Sequence, residues 1–491
     1  MKVRSKVSRI WITFGVFLVV RLWSQSSGVE AVMEALEHKR YHDALRLLAP
    51  LVRAAPQDVR LRTLEGIALS GVGRKPDALR SYRAALKVAP SYLPALQGAA
   101  EIEFQLRDPA AKTTLQAVLR RQPSNQTAHA MLGVLAYEQE DCPAAVRHFQ
   151  AAGRESHNNP AAQWRYGHCL LALGRAQEAV EIFERLRALR PDDAALRYNL
   201  ALARYQTGQA QQAAAMLEPL TESHAPDSDV LSLAAAAFEA AGETPRAVQL
   251  LQRAIRLYPA EERHYVDLAV VCMNHDEPNL ALEILGVGLR HNPKSSRLYA
   301  MRGVVHGELS RFAEAEADFE RASQLEPEKG FGPLGLSVVL QRTGRDEEAL
   351  RKLRDHLRRE PQDAAANWML AQTLVRTGAG PGTKDFEDAR EALVRALAGD
   401  PKLVPARTLL GKLYLQAGDS SRAVQELQRA VELDPGDRTA VYQLMVALRE
   451  AGRQAEIPAL LSRVRELIQK NAAEEQKNRR YRIVKAPPES R

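Results

Sequence analysis

The chain has 491 residues, of which 45% are hydrophobic and 26% are charged. This composition is too apolar for a disordered chain, and this length exceeds what one ordinary hydrophobic core holds, so we expect several domains or a repeat array. Lys and Arg total 68 against 60 Asp and Glu, which gives a formal net charge of +8. A basic chain suggests a nucleic-acid partner, but only if the positive charge lies on the folded body.

The excess positive charge lies at the two ends of the chain. Residues 1–28 carry five basic and no acidic groups, and residues 470–491 carry seven basic and three acidic groups. The segment between them therefore has a net charge of −1. The sequence thus predicts no nucleic-acid partner for the body of the protein, which favours a partner selected by shape and apolar contact.

The amino terminus has the pattern of an export signal. Four basic residues precede an apolar run that begins at Ile10 and reaches Val20, and Arg21 and Trp23 follow it. This order is typical of a secretory signal peptide and predicts an exported protein, periplasmic or secreted. The run is shorter than the roughly 20 residues of a spanning helix. The alternative is an uncleaved signal anchor from Ile10 to Trp23, with Arg21 reaching the membrane interface.

Prolines recur along the rest of the chain at a nearly constant interval. Each one closes an apolar helical segment, and the mean interval is about 34 residues. The prolines of this ladder are Pro56, Pro90, Pro123, Pro160, Pro191, Pro226, Pro259, Pro293, Pro327, Pro361, Pro401 and Pro435. A fixed period of this length predicts a repeat architecture.

Each interval contains two amphipathic segments around a short turn. Apolar residues at i, i+3, i+4 and i+7 predict a helix pair in every unit. Small residues recur within the helices, as at Gly167 in a first helix and Ala179 in a second. A large residue follows four positions after the small residue of the second helix, as at Phe183. We expect the small residues to allow close helix approach. Glycines end the first helix, where they can take a positive φ, at Gly73, Gly174, Gly208, Gly242, Gly344, Gly418 and Gly452.

At these residues the chain resembles the tetratricopeptide repeat (TPR) family, whose 34-residue unit has a small residue at position 8, Ala at 20, an aromatic residue or Leu at 24 and Pro at 32. The resemblance implies an all-α fold, a right-handed superhelical solenoid of about twelve TPR helix pairs plus a C-terminal capping helix. We expect a signal peptide or anchor at 1–27, the repeat array at 28–435, a capping helix pair at 436–471 and a basic flexible tail at 472–491.

The resemblance also indicates which surface binds partners. In the family, the first helix of each unit lines a concave groove, and positions 2, 5, 9, 12 and 13 point inward. Carried onto this chain, these positions predict a partner-binding groove that we call the aromatic patch. Its residues are Tyr137, Trp164, His168, Tyr198, Leu202, Tyr205 and Gln206. Aromatic side chains are favoured at the centres of interfaces. The alternative is that some of these rings pack between repeats.

The sequence contains no constellation of nucleophile, base and orienting group, so we expect no catalytic residue, no cofactor and no metal site. His38 and His42 have helical ligand spacing, but no third ligand cluster accompanies them. Cys142, Cys169 and Cys272 form no C-x-x-C motif and lie beside apolar residues. We therefore expect three free, buried thiols and no disulfide framework.

These observations predict a non-enzymatic protein-interaction scaffold of the cell envelope that binds a peptide or protein partner in the concave groove. Two alternatives remain. The first is an inner-membrane-anchored assembly factor for an envelope complex, if the apolar segment is retained. The second is an accessory subunit of an enzyme. The sequence leaves the partner and the oligomeric state open.

Overall fold

A computed structural model of the protein describes residues 27–462. Throughout that range the chain forms α-helices in consecutive packed pairs and no β-strand. The expected all-α fold of paired helices is confirmed. The apolar segment that begins at Ile10 and ends at Trp23 and the basic tail at 472–491 lie outside the described residues. The contacts divide the chain into two compact units, one ending at Ala213 and the other beginning at Ala214.

The first unit contains five helix pairs and the first helix of a sixth. Its helices are α1 (Ser27–Glu37), α2 (Tyr41–Ala54), α3 (Val59–Gly71), α4 (Lys75–Val88), α5 (Leu93–Leu106), α6 (Ala111–Arg121), α7 (Gln126–Glu138), α8 (Cys142–Ala152), α9 (Arg154–His157), α10 (Pro160–Ala172), α11 (Ala176–Leu189) and α12 (Ala194–Gln206). The short helix α9 is extra to the pairing. The extra residues of α9 explain why the interval between Pro123 and Pro160 is longer than the mean.

The boundary between the two compact units lies within α13 (Ala210–Thr221). The second unit also consists of paired helices. Its helices are α14 (Ser228–Ala240), α15 (Thr244–Leu257), α16 (Glu262–Asn274), α17 (Pro278–His291), α18 (Ser296–Glu308), α19 (Phe312–Leu325), α20 (Phe331–Arg342), α21 (Asp346–Leu357), α22 (Ala364–Arg376), α23 (Lys384–Gly399), α24 (Val404–Gln416), α25 (Ser420–Leu433) and α26 (Arg438–Glu450). Ile457 and Leu460 pack onto the α26 core beyond it.

Small residues of the first helices face large residues of the second helices, as the sequence predicts. A Cβ atom added to Gly133 would lie 2.7 Å from Cδ1 of Phe149. One added to Gly167 would lie 2.7 Å from Cε1 of Phe183. Both rings are fully buried. Because neither ring could retreat without opening the core, glycine is required at these two positions for the helices to approach this closely.

The turn between paired helices has the same left-handed backbone conformation from one repeat to the next. All seven glycines predicted to end first helices have φ between +70° and +82°. Where a unit lacks glycine, another residue takes the left-handed conformation, with φ between +55° and +61°. These residues are Lys39, Arg107, Glu140, Asp276 and Ser310. The repeat geometry therefore overrides the steric preference of L-residues for negative φ.

Capping side chains fix the start of most first helices. An Asp, Asn or Ser side-chain oxygen accepts a hydrogen bond from a backbone N–H in the first turn, which satisfies a donor that has no partner within the helix. The capping residues are Asp58, Asn125, Asn159, Asp193, Asp227, Ser295, Asp363 and Asp437. In these repeats the cap and the nearby proline together mark where the first helix begins.

The close-approach positions can be tested by overpacking. Ala423 on α25 is completely buried. We expect Ala423→Leu to lower the free energy of unfolding by about 1–3 kcal/mol, because the added carbons force neighbouring side chains apart. Urea denaturation followed by circular dichroism measures the change. Gln425→Leu, at an exposed position of the same helix, is the control, and equal stability of the two variants would contradict the packing described above.

Candidate functional site

Residues of the aromatic patch on α7 and α10 lie side by side. The ring of Tyr137, on α7, meets the ring of His168, on α10, edge to face with 5.8 Å between centroids. The guanidinium of Arg165 lies 5.8 Å from the centroid of the same Tyr137 ring, within cation–π range. Tyr137 is half-buried and His168 is exposed. The three side chains form a cluster with an aromatic centre and a permanent positive charge.

Trp164 belongs partly to the packing of its own helix pair. It is half-buried, and its ring meets that of Phe183 on α11 edge to face with 5.9 Å between centroids. Phe183 is the buried ring that also contacts Gly167. Trp164 thus packs partly within its own helix pair, not between repeats as the alternative held, and the remainder of this side chain reaches solvent.

The other members of the patch lie on α12, the next first helix. Tyr198, Leu202 and Tyr205 are half-buried, and Gln206 is exposed. The structure thus places all seven residues in the first unit, on three first helices, and brings Tyr137 and His168 into contact. Their role in binding stays a prediction. Arg165 was not among the predicted residues, because it holds the sixth position of its unit rather than one of the five inward positions.

Two of the three cysteines form a disulfide, so the expectation of three free thiols is wrong. Cys142 begins α8 and Cys169 lies on α10, with 5.0 Å between their Cα atoms. The two residues are 27 positions apart in sequence. Helix α10 packs directly against α8, which brings them together although they belong to successive helix pairs. Sequence spacing alone gave no sign of this neighbour-to-neighbour contact.

Cys272 is the free cysteine of residues 27–462, and it is buried in α16. Burial raises the pKa of its thiol to about 12. The thiolate is the reactive form of cysteine, so this side chain stays protonated and inert near neutral pH. For Cys272 the expectation of a free, buried thiol is confirmed.

A buried polar network joins α14 and α16 in the second unit. Oγ of Ser228 lies 2.9 Å from Nε2 of His264, and Oγ of Ser232 lies 3.1 Å from its Nδ1. Burial and the nearby charge of Arg263 lower the pKa of His264, so its neutral form is favoured. Although a serine and a histidine meet here, the imidazole is completely inaccessible. We therefore assign the network to the packing of neighbouring first helices.

No helix between residues 27 and 462 has the length and apolar character needed to cross a bilayer. Within the same residues, no three His, Cys, Asp or Glu side chains converge in a way that would hold a metal ion.

Profiles of the tetratricopeptide repeat match the chain in several places. The matched residues are 109–156, 136–194, 170–237, 229–260, 296–329 and 382–448. They lie in both compact units, and 229–260 and 296–329 each match one helix pair of the structure. The chain belongs to the tetratricopeptide repeat family, whose fold supports protein–protein interaction in general.

Two curated relatives come from Komagataeibacter xylinus. Cellulose synthase 2 operon protein C is 24% identical over 445 residues, which are 86% of this chain and 31% of that protein. Cellulose synthase operon protein C is 25% identical over 425 residues, 82% of this chain and 29% of that protein. The chain thus spans about a third of the length of the relatives it matches.

Among solved structures, that of yeast Tom70 has a TM-score of 0.47 and 15% sequence identity, and the match covers 85% of this chain and 95% of that chain. The APC/C hetero-tetramer Cut9-Hcn1 has a TM-score of 0.38 and 12% identity, over 85% of this chain and 95% of that chain.

Thiol counting tests the disulfide. We expect one reactive thiol per chain after denaturation without reductant, from Cys272, and three after reduction. We also expect Cys142→Ser to lower the free energy of unfolding by about 2–4 kcal/mol, because the closed loop restricts the unfolded chain. Three reactive thiols before reduction, in protein recovered after export, would contradict the pairing. Cys272→Ser serves as the control that leaves the disulfide intact.

Proposed function

We propose that the protein is a non-enzymatic scaffold that binds a peptide or protein partner through the aromatic patch of its first unit. The cluster of Tyr137, Arg165 and His168 carries this proposal. An aromatic ring that is half-buried is already ordered, so binding costs little side-chain entropy, and a neighbouring guanidinium adds a site for a carbonyl or carboxylate. Such a combination is typical of the residues that contribute most to interface affinity.

We propose further that the protein works outside the cytoplasm. The Cys142–Cys169 disulfide supports this location, since cytosolic proteins rarely keep structural disulfides. The basic and apolar amino-terminal segment supports it independently. The two observations come from separate parts of the chain. The periplasm is the compartment that we favour, with a retained anchor at residues 10–23 as the alternative.

A role beside an enzyme is the second candidate function. The K. xylinus relatives carry names that refer to a cellulose synthase operon, and the chain matches about a third of each. On this proposal the protein would be the interaction part of a polysaccharide-synthesis assembly and would serve as an accessory subunit or assembly factor. The aromatic patch would then hold another member of the assembly.

Site-directed photo-cross-linking tests the patch. We expect a photoreactive amino acid at His168 or Gln206 to cross-link a partner in intact cells, because both positions are exposed. The same amino acid at Arg185, exposed on the second helix α11, is the matched control. Tyr137→Ala should remove most of the cross-linked product at His168. Equal cross-linking at Arg185, or product unchanged by Tyr137→Ala, would refute the assignment.

Amino-terminal sequencing of the mature protein separates the cleaved from the anchored form. We expect a mature start near Ser27 or Gly28, where small residues follow the apolar run. Protein extracted from the membrane fraction with Met1 still present would instead establish the signal anchor. A cytoplasmic fraction with reduced Cys142 and Cys169 would overturn the proposal of export.

A further inference from the structure

The charges of the first compact unit separate between its two kinds of helix. The second helices α4, α6 and α8 together carry eight Lys or Arg residues and one Asp. The first helices α5 and α7, which pack between them, carry three Glu and no Lys or Arg. The net charge of −1 for the body of the chain therefore conceals a basic layer of second helices, on the side of the array opposite to the groove.

Basic residues of this layer hold the same position in four successive helix pairs. Each one follows a buried alanine of its second helix by nine residues, as Lys87 follows Ala78. We call these residues the basic row, and they are Arg53, Lys87, Arg120 and Arg154. All four are exposed. Among residues 27–462, no carboxylate lies within ion-pair distance of any of them, so their charges are available to a partner.

The same position has mixed charge in the later helix pairs. In α11 it is Ala188, which ends the row. From α13 onward it is Glu222, Arg256, Arg290, Gln324, Arg358, Ala398 and Glu432. A cation near a helix C terminus interacts favourably with the helix dipole, which explains single basic residues at this position. The dipole does not explain four in succession on second helices that are so poor in acidic residues.

The caps of the neighbouring first helices also lack negative charge. An aspartate caps α3, α12, α14, α22 and α26. The helices that follow the last three members of the basic row begin instead after Tyr92, Asn125 and Asn159. Both asparagines accept the capping hydrogen bonds that an aspartate would accept. Glu155, beside the last member of the row, is half-buried. The row is therefore weakly neutralised by its surroundings.

We infer that the basic row docks the first compact unit onto an anionic phospholipid membrane. An exposed cation gains little from a single ion pair in water. Several cations in one row gain together from the dense headgroup charge of an anionic membrane. The Tyr and Phe rings of α4 and α8, Tyr82 and Phe149, are buried, and α6 has no aromatic residue. This layer therefore offers no ring on which nucleotide bases could stack.

The choice of a membrane over a nucleic acid rests on the proposed location outside the cytoplasm, where the envelope supplies anionic lipid. The basic and apolar amino-terminal segment precedes the first compact unit in the chain, which favours the same surroundings. The basic row lies on second helices, whereas the aromatic patch lies on the first helices α7, α10 and α12. A chain docked through the row therefore keeps the patch open to a protein partner.

Flotation of the full chain with phospholipid vesicles tests the docking. The probe is a vesicle of phosphatidylglycerol and phosphatidylcholine, and phosphatidylcholine alone is the neutral comparison. We expect binding to the anionic vesicle that salt weakens and that Arg120→Glu combined with Arg154→Glu weakens by about ten-fold or more. The matched control combines Arg256→Glu with Arg290→Glu, which changes the same repeat position of the second unit by the same charge. Residues 10–23 are present in every variant, so their contribution to binding is common to all.

Asn125→Asp combined with Asn159→Asp tests the uncharged caps. We expect about three-fold weaker binding to the anionic vesicle, because two carboxylates then stand beside the row. Circular dichroism should stay unchanged, since Asp caps a helix as well as Asn does.

Equal affinities of the two arginine double variants, or equal binding to anionic and neutral vesicles, would overturn the proposal. Unchanged affinity of the asparagine double variant would also contradict it. Binding of a fluorescent DNA duplex without binding of vesicles would assign the row to a nucleic acid instead. The vesicle measurement does not depend on export, so its failure and the failure of the proposed location are distinguishable.

Discussion

The structure depends on one contact that recurs along the array, in which a large side chain of a second helix lies against a small residue of a first helix. The Tyr82 ring illustrates its reach, because a Cβ added to Gly66 or to Gly98 would come within 2.6 Å of a ring atom. Gly66 lies on α3 and Gly98 on α5, so one ring holds its own pair and the next pair together. Phe319 makes the same double contact with Gly303 and Gly335. The contact within one helix pair is therefore also the contact between successive helix pairs.

Because the packing uses fixed positions of every unit, the remaining positions of the first helices are free to vary. In the first compact unit they carry the side chains of the aromatic patch, and in the second they carry the exposed valines Val270, Val304 and Val338. The same scaffold thus presents two chemically different surfaces. A repeat fold predicts where binding residues will lie but leaves their chemistry to the individual sequence, which is why fold similarity alone does not identify a partner.

The repeat itself could be predicted from the sequence because it rests on local signals. The proline ladder and the turn glycines, such as Gly174, act within a few residues of where they stand. The disulfide could not, since Cys142 and Cys169 meet only when α10 packs on α8. The buried hydrogen bonds of His264 likewise join the first helices of successive helix pairs. For the site, the inward positions led to Tyr137 and His168, but the contact between their rings depends on side-chain directions that periodicity does not specify.

The position of the disulfide bears directly on the aromatic patch. Cys169 follows His168 on α10, with the cysteine buried and the histidine exposed. The other half of the bond begins α8, the partner of α7, which carries Tyr137. The covalent link therefore ties together the two helix pairs whose rings form the contact. A surface whose helices cannot shift loses less conformational freedom on binding. On the proposed function, the disulfide holds the helices of Tyr137 and His168 in place before a partner binds.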